Sequence, residues 1–309
     1  MFIEQAYKGK NEPWRVILTV IASSGLMIAS SVWFMLQSEE TKTAAYEAMK
    51  QIPNNISLVM NLGLFVFLLG ILFFMVYFVH NRSLKTLTTS REKINFKKVF
   101  FSFGLIVLLG LIGFAISYSA DSSAFEWNFK PVNFIILLII SLLLFPFQIG
   151  FEEYFFRGYL MQQIGIVTRN RWFPLIFTSV FFGLVHGSNP EVAELGYGTM
   201  VFYIGTGLLL GIMTLMDEGL ELALGFHFGN NFMAAILVSA DFAALQTDAL
   251  FKYTSEIDKA SILSEMIISI LITYPLILFI LSKKYKWSGW KEKLFGKVHE
   301  PKVIIENAD

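Results

Sequence analysis

The chain has 309 residues, 55% of them hydrophobic and only 16% charged, with a mean hydropathy of +0.60. An ordinary soluble domain carries about 25% charged residues, so this chain has too few to coat a globule in water. Lys+Arg and Asp+Glu both number 24, leaving no basic excess for nucleic acid, and the absence of Cys excludes disulfides, thiolate metal sites and a cysteine nucleophile.

Eight apolar segments follow one another along the chain, at 14–36, 56–79, 99–118, 133–151, 172–186, 200–216, 220–240 and 262–282. A bilayer core of about 30 Å takes roughly 20 helical residues. The first three segments and the last two meet that length, whereas the middle three are short or run into charge. The first is too long for a signal-peptide apolar region of about 7–15 residues and is read as retained. The expected fold class is therefore all-α, a polytopic membrane helix bundle with about eight transmembrane helices.

Charge sets the expected orientation. With both termini cytoplasmic, 19 of the 24 Lys and Arg fall inside: Lys8, Lys10, Arg15, Arg157, Arg169, Arg171 and the stretches 82–98 and 283–302. Lys42, Lys50, Lys130, Lys252 and Lys259 fall outside. Three parts are expected: leading helices over 1–132, a core over 133–240 where polar residues invade apolar helices, and a last helix with a basic tail over 241–309. Gly207/Gly211 and Gly225/Gly229 have the spacing that lets helices approach closely.

Ionisable groups inside a bilayer cost at least about 2.5–3.5 kcal/mol each, which makes them site candidates. Glu152 and Glu153 continue the fourth segment, with Arg157 four residues after Glu153. The i,i+4 spacing lets Glu153 and Arg157 pair, and adjacent helical residues point about 100° apart. Glu152 is then expected to be a free carboxylate, with Glu153 turned away from it. The alternative is that both acids merely mark a span end. His186 closes Phe182-Gly183-Leu184-Val185-His186, and His227 lies one turn from Asn231. A histidine in such a helix also serves as a simple interhelical hydrogen bonder. Gly183, Gly225 and Gly229 are expected to leave room beside these side chains, and Pro146 offers a kink.

Other intramembrane chemistries fit less well. His299-Glu300 is followed by Pro301 and lacks the second His of a zinc-protease helix. Asp217 and Glu218 make a tight turn with no aspartate partner in a span, and Ser188 has no separate base.

The ordered set Glu152-Glu153-x-x-x-Arg157, Phe182-x-x-x-His186 and His227-x-x-x-Asn231 resembles the three motifs of the CPBP intramembrane proteases, the CAAX-protease and bacteriocin-processing (Abi) family. The resemblance covers about 133–240. It implies an endopeptidase acting on a peptide or membrane-anchored protein substrate at the lipid bilayer. Glu152 with His186 would activate water, His227 and Asn231 would stabilise the oxyanion, and Glu153 and Arg157 would hold the site together. Apolar surroundings suit a general base by disfavouring the charged carboxylate. Glu152, His186 and His227 could ligate zinc with an open position, or activate water without a metal, the reading preferred here. Two alternatives stay open: an interaction or bacteriocin-immunity protein of the same fold that needs no cleavage, and a small transporter. The compact, loop-poor build favours a bacterial cytoplasmic membrane.

Overall fold

The computed structural model describes residues 1–255 and 258–301. Lys302, counted above in the basic tail, lies outside them. In chain order the helices that build the bundle and its far end are α1 (Pro13–Met35), α2 (Glu39–Lys50), α3 (Asn54–Val79), α4 (Phe96–Ala120), α5 (Pro131–Thr168), α6 (Trp172–Val185), α7 (Pro190–Leu195), α8 (Thr199–Asp217), α9 (Glu221–Ile236) and α10 (Lys259–Tyr285), with short helical turns at Ile3–Lys8, Lys85–Thr88, Ser122–Ala124 and Trp290–Phe295 besides. Among the described residues, six are long and apolar enough to cross a membrane: α1, α3, α4, α5, α8 and α10. Large apolar side chains stand bare on their outer faces, Leu26 at 81%, Phe67 at 71% and Phe100 at 72% exposure. Side chains this apolar belong against lipid, and the chain is an integral membrane protein.

Sequence chemistry sets the helix boundaries. Pro13 and Pro131 start α1 and α5, where a missing N–H costs nothing. Ser38, Asn95 and Asp258 cap α2, α4 and α10 by accepting a backbone N–H. Arg169 and Glu218 take left-handed conformations that stop α5 and α8. The expected helical segment 220–240 stops earlier, at Ile236. Beyond it lies a small sheet absent from the all-α expectation. Strand β3 (Phe251–Tyr253) sits between β1 (Phe125–Trp127), antiparallel, and β2 (Val238–Ser239), parallel.

Two ends of the bundle can be told apart by their bonds. At the basic end, Lys98 pairs with Asp217 at 2.7 Å, Arg91 with Glu221 at 2.6 Å and Arg171 with Glu4 at 3.2 Å. At the far end, Asn54, Lys130 and Asn133 converge on Asp248, and Lys259 reaches Glu194. Between the ends, the paired glycines close two helix contacts. A Cβ on Gly207 would come within 2.8 Å of the Ser179 carbonyl of α6, and one on Gly225 would run into the Val99 carbonyl of α4. The glycines expected to leave room beside the site are therefore filled. Gly183 lies against Ile204 and Gly229 against Ile106.

His80, just past α3, ties the amino-terminal segment to the bundle. Its Nδ1 lies 2.6 Å from the Lys10 carbonyl, which can only accept, so Nδ1 carries the proton. Nε2 then accepts from the Tyr159 hydroxyl at 2.9 Å. Burial, then the charges of Arg82 and Arg15, push this imidazole below its ordinary range. The unfolded chain therefore holds the proton more tightly, and stability is full above the ordinary value of about 6.5 and is lost as pH falls below it. Thermal unfolding in detergent should show a lower midpoint on acidification in the wild type than in His80→Gln, each relative to its own neutral value. Equal acid losses would show that His80 does not carry the effect.

Candidate active site

Helix α5 runs unbroken through the two carboxylates to Thr168, and from Tyr154 to Leu160 it widens into a π-helix. Such widened turns are frequent at functional sites because they re-aim the side chains around them. Glu153 and Arg157 are fully buried and pair at 2.8 Å, as the i,i+4 spacing predicts. Arg157 also donates to the Gly207 carbonyl at 3.1 Å and lies over the Phe182 ring at 4.4 Å. The guanidinium thus fastens α5 to α8 and α6. It is no loop charge, so Arg157 leaves the set of residues that orient the chain.

Glu153 does not turn away from the site. Its Oε1, already holding Arg157, also lies 2.9 Å from Nδ1 of His227. Nε2 of the same ring stands 3.5 Å from Oε2 of Glu152. His227 is therefore held between the two adjacent carboxylates. Ring Nδ1–H is the donor, since the Glu153 carboxylate only accepts. Oε2 of each glutamate has no hydrogen-bond partner among the described residues. A buried carboxylate oxygen without a donor is costly and calls for an explanation.

A chain of amides completes this side. Gln148, one turn before Glu152, donates to its Oε1 at 3.1 Å. Asn231 donates to the Gln148 oxygen at 3.4 Å, and Asn230 to the Asn231 oxygen at 3.2 Å. Gln148 was not singled out from the sequence, although a polar residue one helical turn before Glu152 in an apolar run was a usable signal. His186 joins through aromatic contacts. Its Nδ1 donates to the Phe182 carbonyl at 2.7 Å, its ring lies 4.6 Å from that of Phe182, and the Phe182 ring is 5.9 Å from His227. Tyr203 stacks on the other side of His186 at 4.5 Å and 23°, and Glu191 accepts from its hydroxyl. No sequence motif marks Tyr203 or Glu191.

Glu152, Glu153, Arg157, His227 and Asn231 thus form one bonded network, with His186 beside it. As a metal centre the set fits poorly. Among the described residues no three His, Asp or Glu side chains are grouped to hold an ion, although Nδ1 of each histidine is turned to a protein oxygen and its Nε2 is left to face the site. No step is routed through a metal.

Residues 131–233 match the family model described as type II CAAX prenyl endopeptidase Rce1-like. The chain carries an Rce1-like domain. That domain contains every residue of the network and leaves α1 to α4 and α10 outside it. A Bacillus subtilis (strain 168) protein named uncharacterized protein YyaK is 26% identical over 243 residues, 75% of this chain and 80% of its own. No solved structure matches the chain.

Proposed function

We propose that the Rce1-like domain is an intramembrane endopeptidase that hydrolyses a peptide or membrane-anchored protein with water activated by Glu152. The observation that carries this reading is His227 held between Glu152 and Glu153, next to an unpartnered carboxylate oxygen. Glu152 takes a proton from the attacking water as its oxygen bonds to the substrate carbonyl carbon. The oxyanion that forms is met by the Asn231 amide and, when its ring also carries a proton on Nε2, by His227, and His186 assists in orienting the water. The C–N bond then breaks, and the proton held by Glu152 passes to the leaving nitrogen. Glu153 and Arg157 keep His227 and α5 in register. Oxyanion donors in a water-poor site are worth about 2.7–4 kcal/mol each.

We place α6 and α9 as the remaining two of eight crossings, with both termini cytoplasmic and the basic end inside. Reporter fusions at Lys50 and Lys130 should read external and one at Arg91 internal; the reverse pattern would overturn this orientation. The reaction is tested by comparing membrane proteomes of cells carrying wild-type or Glu152→Gln protein. One precursor should accumulate in the variant. A phenotype that survives Glu152→Gln with no precursor would favour the non-proteolytic interaction protein.

A further inference from the structure

His186 closes α6 with one side-chain hydrogen bond, Nδ1–H to the Phe182 carbonyl at 2.7 Å. That bond fixes the tautomer and leaves Nε2 as an acceptor. It does not fix the tilt of the ring, since donor angles down to about 120° are tolerated. Two flat partners do. The Phe182 ring lies 4.6 Å away at 49°, and the Tyr203 ring 4.5 Å away at 23°, the flatter of the two contacts. Phe182 sits on the same helix as His186. Tyr203 comes from the first turns of α8 and is itself held. Asn189 donates to its hydroxyl at 3.0 Å, and the hydroxyl donates to Oε1 of Glu191. The other oxygen of Glu191 accepts the Ala244 N–H at 2.9 Å. A chain of contacts thus runs from the backbone at Ala244 through Glu191 and Tyr203 to His186.

Two features set this chain apart from ordinary packing. The contact between α6 and α8 is closed without it, because Ile204 fills the groove at Gly183 and Gly207 lies on the Ser179 backbone. Glu191 also differs from the other acids at the far end. Glu39, Glu47, Glu194 and Asp241 each pair with a lysine, whereas Glu191 pairs with no Lys or Arg among the described residues. Its two oxygens each meet an uncharged donor, an arrangement that needs an acceptor at both ends of the side chain. A glutamine has one acceptor and one donor. Its NH₂ would face either the Ala244 N–H or the Tyr203 hydroxyl, which already accepts from Asn189.

We propose that Tyr203 and Glu191 are positioning residues for His186: the carboxylate holds the phenol, and the phenol ring holds the imidazole in the setting from which it orients the attacking water. The consequence for rate rests on the proposed hydrolysis; the fixing of the ring does not. Neither residue belongs to the three motifs, and neither touches Glu152, Glu153 or His227. Both act only through His186. The hydroxyl of Tyr203 is as necessary as its ring, because a phenylalanine would keep the stacking surface and lose the bonds that set its angle.

The chain has only four His, so protein labelled with ¹³Cε1-histidine and placed in lipid nanodiscs reads the ring directly by NMR. In alkaline buffer, where imidazoles are neutral, the His186 signal, assigned by its loss in His186→Gln, should be displaced upfield by the stacked ring. Tyr203→Leu should return it furthest towards the unstacked position. Tyr203→Phe and Glu191→Gln should move it partway, and Glu194→Gln, on the same helix but paired with Lys259, should leave it in place. With the peptide spanning the precursor's cleavage site, Tyr203→Phe and Glu191→Gln of normal melting temperature should each lower kcat by about 10- to 100-fold, the scale of a slight misplacement, at unchanged KM. In the His186→Gln background they should lower it no further, because they act through that ring. A His186 signal unmoved by Tyr203→Phe and Glu191→Gln would overturn the proposal, as would a loss of rate as large in the His186→Gln background as in the wild type. Signals that move as stated, in a wild type that cleaves no peptide, would instead sink the endopeptidase reading and leave the fixing of His186 standing.

Discussion

Glu153→Ala should lower both the yield of folded protein and its melting temperature, and abolish activity. Glu153 and Arg157 are fully buried, and one oxygen of Glu153 holds both Arg157 and His227. Without the carboxylate, the guanidinium keeps only the Gly207 carbonyl and the face of Phe182. Removing one partner of a buried pair costs about 3–5 kcal/mol, against a total stability of about 5–15 kcal/mol. Thermal unfolding in detergent together with the membrane yield checks this. A variant that melts and accumulates like the wild type would show that Arg157 is satisfied elsewhere. Glu153→Gln should lie between the two, keeping an acceptor but losing the charge.

Glu152→Gln should behave in the opposite way, leaving the protein folded and stopping the reaction. Among the described residues Glu152 pairs with no Lys or Arg; it accepts one hydrogen bond from Gln148 and faces His227 at 3.5 Å. Glutamine fills the same space and removes only the base. Loss of a general base typically costs about 10²–10⁴ in rate. Precursor should therefore accumulate at normal yield and melting temperature. Unfolded Glu152→Gln protein would mean that this carboxylate is structural and that the roles of the two glutamates have been exchanged.

The contrast between these glutamates shows what local sequence carries. The i,i+4 step announces the Glu153–Arg157 pair because both partners lie on one turn of one helix. It is silent on the second contact of Glu153, since His227 arrives from α9, 74 residues later. The motif order brought Glu152, His227 and Asn231 to notice, but the amide link through Gln148 depends on how α5 and α9 face each other. The long apolar helices and the paired glycines were legible because length and spacing are one-dimensional properties. The small glycines beside the site were misjudged for a related reason: spacing shows that a helix has a groove and not what fills it, and here backbone and side chains of α4 and α8 do. Arg157 shows the limit of counting charges, because a residue near an expected span end lies wholly inside the bundle. The sheet at the far end was hidden by strands of only two or three residues.

The central claim is that Glu152 activates water to cut a peptide bond. Purified protein reconstituted in liposomes, given a peptide spanning the precursor's cleavage site in ¹⁸O-water, tests it most directly by mass spectrometry. The wild type should yield two fragments with ¹⁸O in the new carboxyl group, and Glu152→Gln, equally folded, should yield none. Cleavage by Glu152→Gln at the wild-type rate, or product from the wild type without the label, would contradict it.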